Sequence, residues 1–376
     1  MKVLFIGSDR SIFEKESQSY KRMREYGRLF DELHIVIFNK GIKAQSDFKI
    51  AENVFVRPTN SFSKLSYVID AYFLSASILG VDKRGSWVVS VQDPFESGII
   101  GFLLKLKFKI KLQVQVHTDF LNNYFKQVFI LNRVRLFLVR FVLPNADRIR
   151  VVSSRIKDSI VAKYNLKSDK IDVLPIYTNV VNFQEDGPEF RFKNFKPDWR
   201  FVFLTVCRLE KEKNLFFLLD VFKELSLKRK DFAWILVGDG SLKPILQTEV
   251  EKLGLDGNVS FLGQKNDLPN IYRGSDFYIQ SSFYEGFGLS ILEAFLCGLP
   301  VLTTDVGLIG SILNKKDVFT CDLDKVCFLK IIEEFIAGRF KREDFSKRRR
   351  EILLKLPKNQ EEYLNNYKTL FDKIYV

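Results

Sequence analysis

The chain has 376 residues, more than the roughly 100 to 200 of a single domain, with 59 Lys and Arg against 46 Asp and Glu, a formal net charge of +13. Hydrophobic residues at 46% and charged residues at 28% exclude a disordered chain and a small stapled fold. The charge calls for an anionic partner, but the cations are spread along the chain without zinc-finger or RNP-type patterning, so nucleic acid is not among the expected partners.

The opening MKVLFIGSD has too few apolar residues for a signal-peptide core, and no uncharged run of about 18 follows anywhere, so the expectation is a cytoplasmic chain that does not span a membrane. VLFIG reads as a first strand, and the loop GSDRS after it offers Asp9 and Arg10 as candidate acceptor contacts. His34, one of two histidines, sits within the strand LHIVIF and reads as structural. WVVSVQ follows. The stretch LKLKFKIKLQVQVH alternates at period two, yet 14 residues exceed the usual five or six of a strand. It is read as a helix from about Ser97 to Lys107 and then a strand from about Lys111 to His117, the lysines favouring the helix C-terminus. His117 and Asp119 then lie at the tip of a strand in an α/β domain, where ligands bind.

Residues 125–143, FKQVFILNRVRLFLVRFVL, join large apolar side chains to Lys126, Arg133, Arg135 and Arg140. Such a segment can lie in a membrane interface with its cations on acidic headgroups, or form a buried helix with snorkelling arginines. Peripheral contact with the inner face of an acidic plasma membrane is the expectation carried forward. RIRVVS and IDVLPI complete the first series of strands. Residues 179–200 break all periodicity and read as the interdomain connection. The expected domains are 1–180 for the acceptor and 199–358 for the donor, joined by a linker at 181–198 and followed by a C-terminal helix, 359–376, packing back across them.

The second half repeats the rhythm of strand and crossover helix, which predicts two Rossmann-like parallel-sheet domains, an α/β fold with a central cleft. In FVFLTVCRLEKEKNL, Arg208 follows a buried strand and Lys213 comes at the start of the next helix. Arg grips a phosphate with two donors and Lys supplies a point charge. ILVGDG and VSFLGQ bring Gly238, Gly263 and Gln264 to the same sheet edge. The densest signal is SSFYEGFGLSILEAFLCGLPVLTTDVG, residues 281–307. Ser281 and Ser282 end a strand and Glu285-Gly286-Phe287-Gly288 form a loop. Ser290 is expected to cap a helix over Ile291 to Cys297. The glycines and the helix N-terminus suit a diphosphate, and Glu285 and Glu293 suit sugar and ribose hydroxyls. Asp322-Leu323-Asp324 has a metal-binding spacing without a second oxygen cluster, so no metal is expected. Cys207, Cys297, Cys321 and Cys327 lack metal spacing and read as reduced, buried thiols.

The nine-residue interval from Glu285 to Glu293 is similar to the E-x7-E of retaining GT-B glycosyltransferases. EGFGLSILEAFLCGLPV and VCRLEKEKN, with Cys207 where Gly is usual, resemble the donor site of GT4 enzymes, and VHTDF resembles their His-Asp segment. The resemblance implies that Arg208 and Lys213 bind the diphosphate and that Glu285 holds the donor sugar. It gives Gly286, Phe287, Gly288, Leu289 and Ser290 as donor contacts, Glu293 as the ribose ligand, and His117 as a contact to the sugar from the other domain. It further implies a UDP-, GDP- or other nucleotide-diphosphate sugar as donor, retention of configuration, and no cofactor or metal. One departure is GSDRSIF, where many members carry a Gly-Gly loop.

The expected activity is transfer of a hexose or N-acetylhexosamine to a hydroxyl of a lipid-linked or polysaccharide precursor. A nucleotide-sugar epimerase and a non-catalytic nucleotide-sugar-binding protein are alternatives of similar architecture.

Overall fold

The computed structural model describes residues 1–41, 45–63, 66–81, 86–183, 187, 189–190, 192, 198–346 and 348–375. The strands are β1 (Lys2–Gly7), β2 (Glu32–Ile37), β3 (Phe48–Ala51), β4 (Val54–Pro58), β5 (Trp87–Val91), β6 (Lys111–Val116), β7 (Arg148–Val151), β8 (Ile171–Val173), β9 (Phe201–Val206), β10 (Phe232–Val237), β11 (Val259–Gly263), β12 (Phe277–Gln280), β13 (Val301–Thr303) and β14 (Phe319–Thr320). The helices are α1 (Gln18–Gly27), α2 (Tyr67–Val81), α3 (Glu96–Phe108), α4 (Phe125–Val128), α5 (Leu131–Asn145), α6 (Ser154–Tyr164), α7 (Leu215–Lys228), α8 (Lys243–Lys252), α9 (Leu268–Arg273), α10 (Leu289–Leu296), α11 (Lys325–Ile336), α12 (Glu343–Ser346), α13 (Arg349–Leu353) and α14 (Gln360–Asp372).

The chain divides into two compact units, Met1–Leu121 with Phe129–Pro175 and Gln360–Val376, and Asn122–Val128 with Ile176–Asn359. The first is built on a sheet of order β3-β4-β2-β1-β5-β6-β7-β8, parallel except where β3 runs against β4. Strands β1, β5 and β6 are buried on both faces, as central strands of a sheet covered by helices are. The period-two stretch resolves as α3 followed by β6, the break falling at Lys109 in the left-handed region with φ 54°. Both glutamines of β6 are buried, so its alternation marks polar pairing inside the sheet: Gln113 accepts from Ser90 Oγ at 2.9 Å, and Gln115 donates to Ser90 Oγ at 2.9 Å.

Helix α14 belongs to this unit. Tyr367 stacks on Tyr26 at 4.2 Å and Phe371 edges Phe30 at 4.8 Å. Beneath them lies Arg150, 3% exposed, which donates to Gln115 Oε1, Tyr363 OH and the Leu174 and Pro175 carbonyls.

The second unit carries a parallel sheet of order β11-β10-β9-β12-β13-β14. Its core gathers Phe203, Phe222, Phe232, Trp234 and Phe277, with Phe222 stacked on Trp234 at 4.8 Å. The expected linker lies in part outside the described residues, at 184–186, 188, 191 and 193–197. Nearby, Trp199 is buried and donates to the Gly257 carbonyl at 3.2 Å.

The expectation of reduced thiols at Cys321 and Cys327 is corrected: they are joined as a disulfide. The turn from β14 into α11 brings their Cα atoms to 6.1 Å, within bridging range. Asp324 of the D-x-D triplet caps α11, accepting from Val326 N. Among the described residues no group of three or more His, Cys, Asp or Glu stands in metal-ligating array.

Candidate functional site

In the second sheet β9 lies between β10 and β12, so crossovers leave it in both directions, and its C-terminal edge is the place where open α/β sheets take ligands. Two loops meet there. After β9 the chain runs through Cys207 and Arg208 into a 3-10 turn, Lys211–Lys213, and Asn214 at φ 51°. After β12 it runs through Ser281 to Gly288 into α10. Phe283 N donates to the Glu212 carbonyl at 2.9 Å and Ser281 Oγ to the Asn214 carbonyl at 3.0 Å, so each loop fixes the other.

That registration brings Lys213 Nζ to 2.6 Å from Glu285 Oε1. Burial lowers the Lys213 pKa, but the charge and hydrogen bond of Glu285, with the Cys207 and Glu212 contributions, together outweigh it, and the ammonium titrates above its ordinary range. Glu285 Oε1 also accepts from Gln280 Nε2 at 2.7 Å and Ser282 Oγ at 2.8 Å. Lys213 belongs to the 3-10 turn, one residue ahead of Asn214 and α7, and so does not start the helix. Arg208 is turned outward: its side chain is 74% exposed and pairs with Glu212 at 2.8 Å.

Gly288, at φ 88°, is the N-cap of α10, a conformation that disfavours a side chain, and no side chain caps the helix. The expected Ser290 cap is thereby corrected. The helix begins at Leu289, Ser290 lies within its first turn, and its Oγ donates to Gln280 Oε1 at 3.2 Å. Gly307, at φ 60°, lets the neighbouring loop close on the Phe287 carbonyl, which a Cβ there would meet at 2.3 Å. Phe287 is buried and anchors the glycine loop. Glu293 accepts from Tyr272 OH at 3.0 Å, and burial, against that hydrogen bond, pushes its pKa up to about 7.

Gln280 is the candidate site residue that motif reading missed. It is 1% exposed and its amide joins Glu285 and Ser282 on one side to Tyr278 OH and Ser290 Oγ on the other. A glutamine ending an otherwise apolar strand, FYIQ, was the available signal. Gly238 N donates to the Gly263 carbonyl at 2.9 Å, holding the ends of β10 and β11 together, and Gln264 is exposed beyond them. A Cβ on Gly238 would meet the Cys207 carbonyl at 1.9 Å, so this glycine serves loop packing. The segment around α4 joins this unit, Tyr124 stacking on Phe283 at 4.8 Å and Phe125 edging Tyr284 at 5.5 Å.

In the first unit His117 follows β6 directly, and Asp119 is buried two residues on. Burial, with the Arg150 and Arg22 charges, lowers the His117 pKa to about 3, so its imidazole is neutral. Asp9 caps a 3-10 turn through Ser11 N, and its carboxylate lies 3.6 Å from Arg22. Arg10 donates to the Phe38 carbonyl at 3.1 Å and Tyr67 OH at 2.9 Å. These two candidate acceptor residues are thus engaged in holding the loop after β1.

Residues 186–352 match Glycosyl transferases group 1, and residues 23–177 match Glycosyltransferase Family 4. An "Uncharacterized glycosyltransferase" of Methanocaldococcus jannaschii is 24% identical over 75% of this chain and 71% of its own. The alpha-monoglucosyldiacylglycerol synthase of Streptococcus pneumoniae is 25% identical over 61% of this chain, which spans 54% of that relative. Among solved structures, sucrose-phosphate synthase from Thermosynechococcus elongatus superposes with a TM-score of 0.81 at 17% identity, covering 100% of this chain and 99% of its own. Anabaena HepE in complex with UDP and glucose superposes at 0.74 and 17%, covering 99% and 100%. With both halves matched and two parallel-sheet α/β domains of the GT-B kind, the chain belongs to the GT4-type glycosyltransferases.

Proposed function

We propose that this glycosyltransferase moves a hexose or N-acetylhexosamine from a nucleotide-diphosphate sugar to a hydroxyl of a lipid-linked or polysaccharide precursor, with retention of configuration and without metal or cofactor. The observation that carries the reading is the buried Lys213–Glu285 pair beside an uncapped helix N-terminus. An ammonium and a helix start offer compensation for a diphosphate, and a carboxylate offers a hydroxyl acceptor for a sugar. Glycosidic cleavage leaves negative charge on the departing phosphate, and preorganised cations stabilise it where it develops. Lys213 and Arg208 supply those cations, Glu285 orients the sugar, Glu293 takes the ribose, and neutral His117 serves as a hydrogen-bonding contact to the sugar. The leaving phosphate takes the acceptor proton.

A lipid-borne acceptor is supported by the alpha-monoglucosyldiacylglycerol synthase relative and by the phosphatidylinositol N-acetylglucosaminyltransferase GPI3 subunit of Saccharomyces cerevisiae, 28% identical over 48% of this chain and 41% of its own. The proposed attachment is peripheral, at the inner face of the plasma membrane; no described helix is long and apolar enough to cross a membrane. Incubation with a panel of nucleotide sugars and a membrane lipid extract tests the function. Free nucleoside diphosphate with a glycosylated lipid or saccharide supports it. An altered sugar still on its nucleotide, or binding without turnover, overturns it.

A further inference from the structure

Helix α3 packs between α2 and α5 in the first unit, and the outward side of this layer is apolar. Phe73 of α2 is 65% exposed, Leu106 of α3 61%, and Val134 and Phe137 of α5 53% and 55%, with Ile130 and Phe141 exposed beside them. Folding alone does not account for them: α5 already buries Val139, Val142 and Leu143 on its inward side. At 3.6 residues per turn, positions 130, 134, 137 and 141 fall within about 60° of arc, a continuous stripe.

Charge decides what covers the stripe. From Glu96 to Asn145 the sequence has eight Lys and Arg and two carboxylates, Glu96 and Asp119. Glu96 is held by Arg135 at 2.9 Å and Asp119 is buried. Arg133 and Arg140 are exposed and flank one edge of the stripe at about 40° to 60° from Phe137. Among the described residues no carboxylate pairs with either. On α3 and α5, large apolar side chains bordered by unpaired cations and lacking outward carboxylates match an anionic bilayer surface, where the apolar groups enter the acyl boundary and the cations meet headgroup phosphates; beside Phe73 on α2 the partly exposed carboxylate is Asp70.

We infer that the outer face of α3 and α5, with the adjoining Phe73 of α2, docks on an anionic lipid bilayer. This rests on the transferase reading only for its link to a lipid-borne acceptor.

The test is co-sedimentation of the full chain with vesicles of phosphatidylcholine alone or mixed with phosphatidylglycerol, without donor. The expected result is binding to the mixed vesicles, weakened by salt, with both Phe137→Ser/Phe141→Ser and Arg133→Glu/Arg140→Glu reducing it by about tenfold or more. Thermal unfolding and nucleotide affinity, measured on the same proteins, are expected to stay at wild-type values; nucleotide binding that fails in every form would sink the transferase reading instead. Three outcomes overturn the docking proposal: no binding to mixed vesicles, equal binding by folded variants, or a wild-type dimer in sedimentation equilibrium that Phe137→Ser/Phe141→Ser dissolves.

Discussion

Lys213 and Glu285 form an ion pair of 2.6 Å whose side chains are only 13% and 12% exposed, on loops from two neighbouring strands. A buried pair of this kind is costly to break on one side, by about 3 to 5 kcal/mol, because the remaining charge loses its partner. Lys213→Met is therefore expected to lower Tm sharply and to reduce kcat/KM by about 10² to 10³-fold. The double variant Lys213→Met/Glu285→Met should recover most of the Tm and none of the turnover, read by calorimetry and product formation. Recovery of both would show that the pair serves only the fold.

Arg208 contrasts with this because its pair with Glu212 is open to solvent. Exposed pairs contribute about 0 to 1 kcal/mol, so Arg208→Ala should barely move Tm. Nucleoside diphosphate affinity, measured by titration calorimetry, should nonetheless fall by about tenfold or more as a phosphate ligand is lost.

Gln280 holds Glu285 in place without an outward face of its own. Gln280→Leu should reduce kcat by about 10- to 100-fold through misplacement of the carboxylate, leaving nucleotide Kd within about twofold. Gln280→Glu would set a carboxylate against Glu285 and should be worse. Loss of nucleotide affinity equal to the loss of kcat would refute a positioning role.

Glu293 titrates at about 7 in the folded protein against 4.5 as a free side chain. Its native form binds the extra proton between those values, so its contribution to stability falls as pH rises from 4.5 through 7. Ribose hydroxyls donating to the carboxylate favour the ionised form, so nucleotide binding should release protons near pH 6.5 and tighten from pH 6 to 8. Calorimetry in buffers of differing ionisation heat reads the proton count, and Glu293→Gln should abolish both effects.

His117 is neutral in the folded protein down to about pH 3. With only two histidines in the chain, its ring resonances can be followed directly by NMR. They are expected to show no titration from pH 5 to 9, and activity over that range should not report a histidine. Below pH 6.5 the unfolded chain takes up a proton that the folded one refuses, so stability falls as pH drops from 6.5 towards 3.

The alternation of strands and helices was legible because each strand is a short apolar run, and the donor loop because glycine and glutamate stand at fixed intervals around it. The division of LKLKFKIKLQVQVH between α3 and β6 also followed from strand length. Pattern reading failed where tertiary contact sets the role. Ser290 looked like a cap, yet Gly288 in the left-handed region begins α10 and Ser290 turns to Gln280. Asp9 and Arg10 stand as acceptor candidates in the sequence, which does not show that Phe38 and Tyr67, distant along the chain, also engage Arg10. The disulfide depends on the tightness of one turn, which six-residue spacing alone does not reveal.

The buried guanidinium of Arg150 donates one hydrogen bond to Tyr363 OH and lies 5.1 Å from the ring of Tyr367, both contributed by α14. Deleting α14 would leave that cation under-solvated and open the aromatic layer over Tyr26 and Phe30 to water. During synthesis the interior of the first unit therefore stays unsealed until residues 360–372 have been made. A first-unit fragment without residues 360–372 should therefore melt at a lower temperature than one supplied with them, as read by calorimetry.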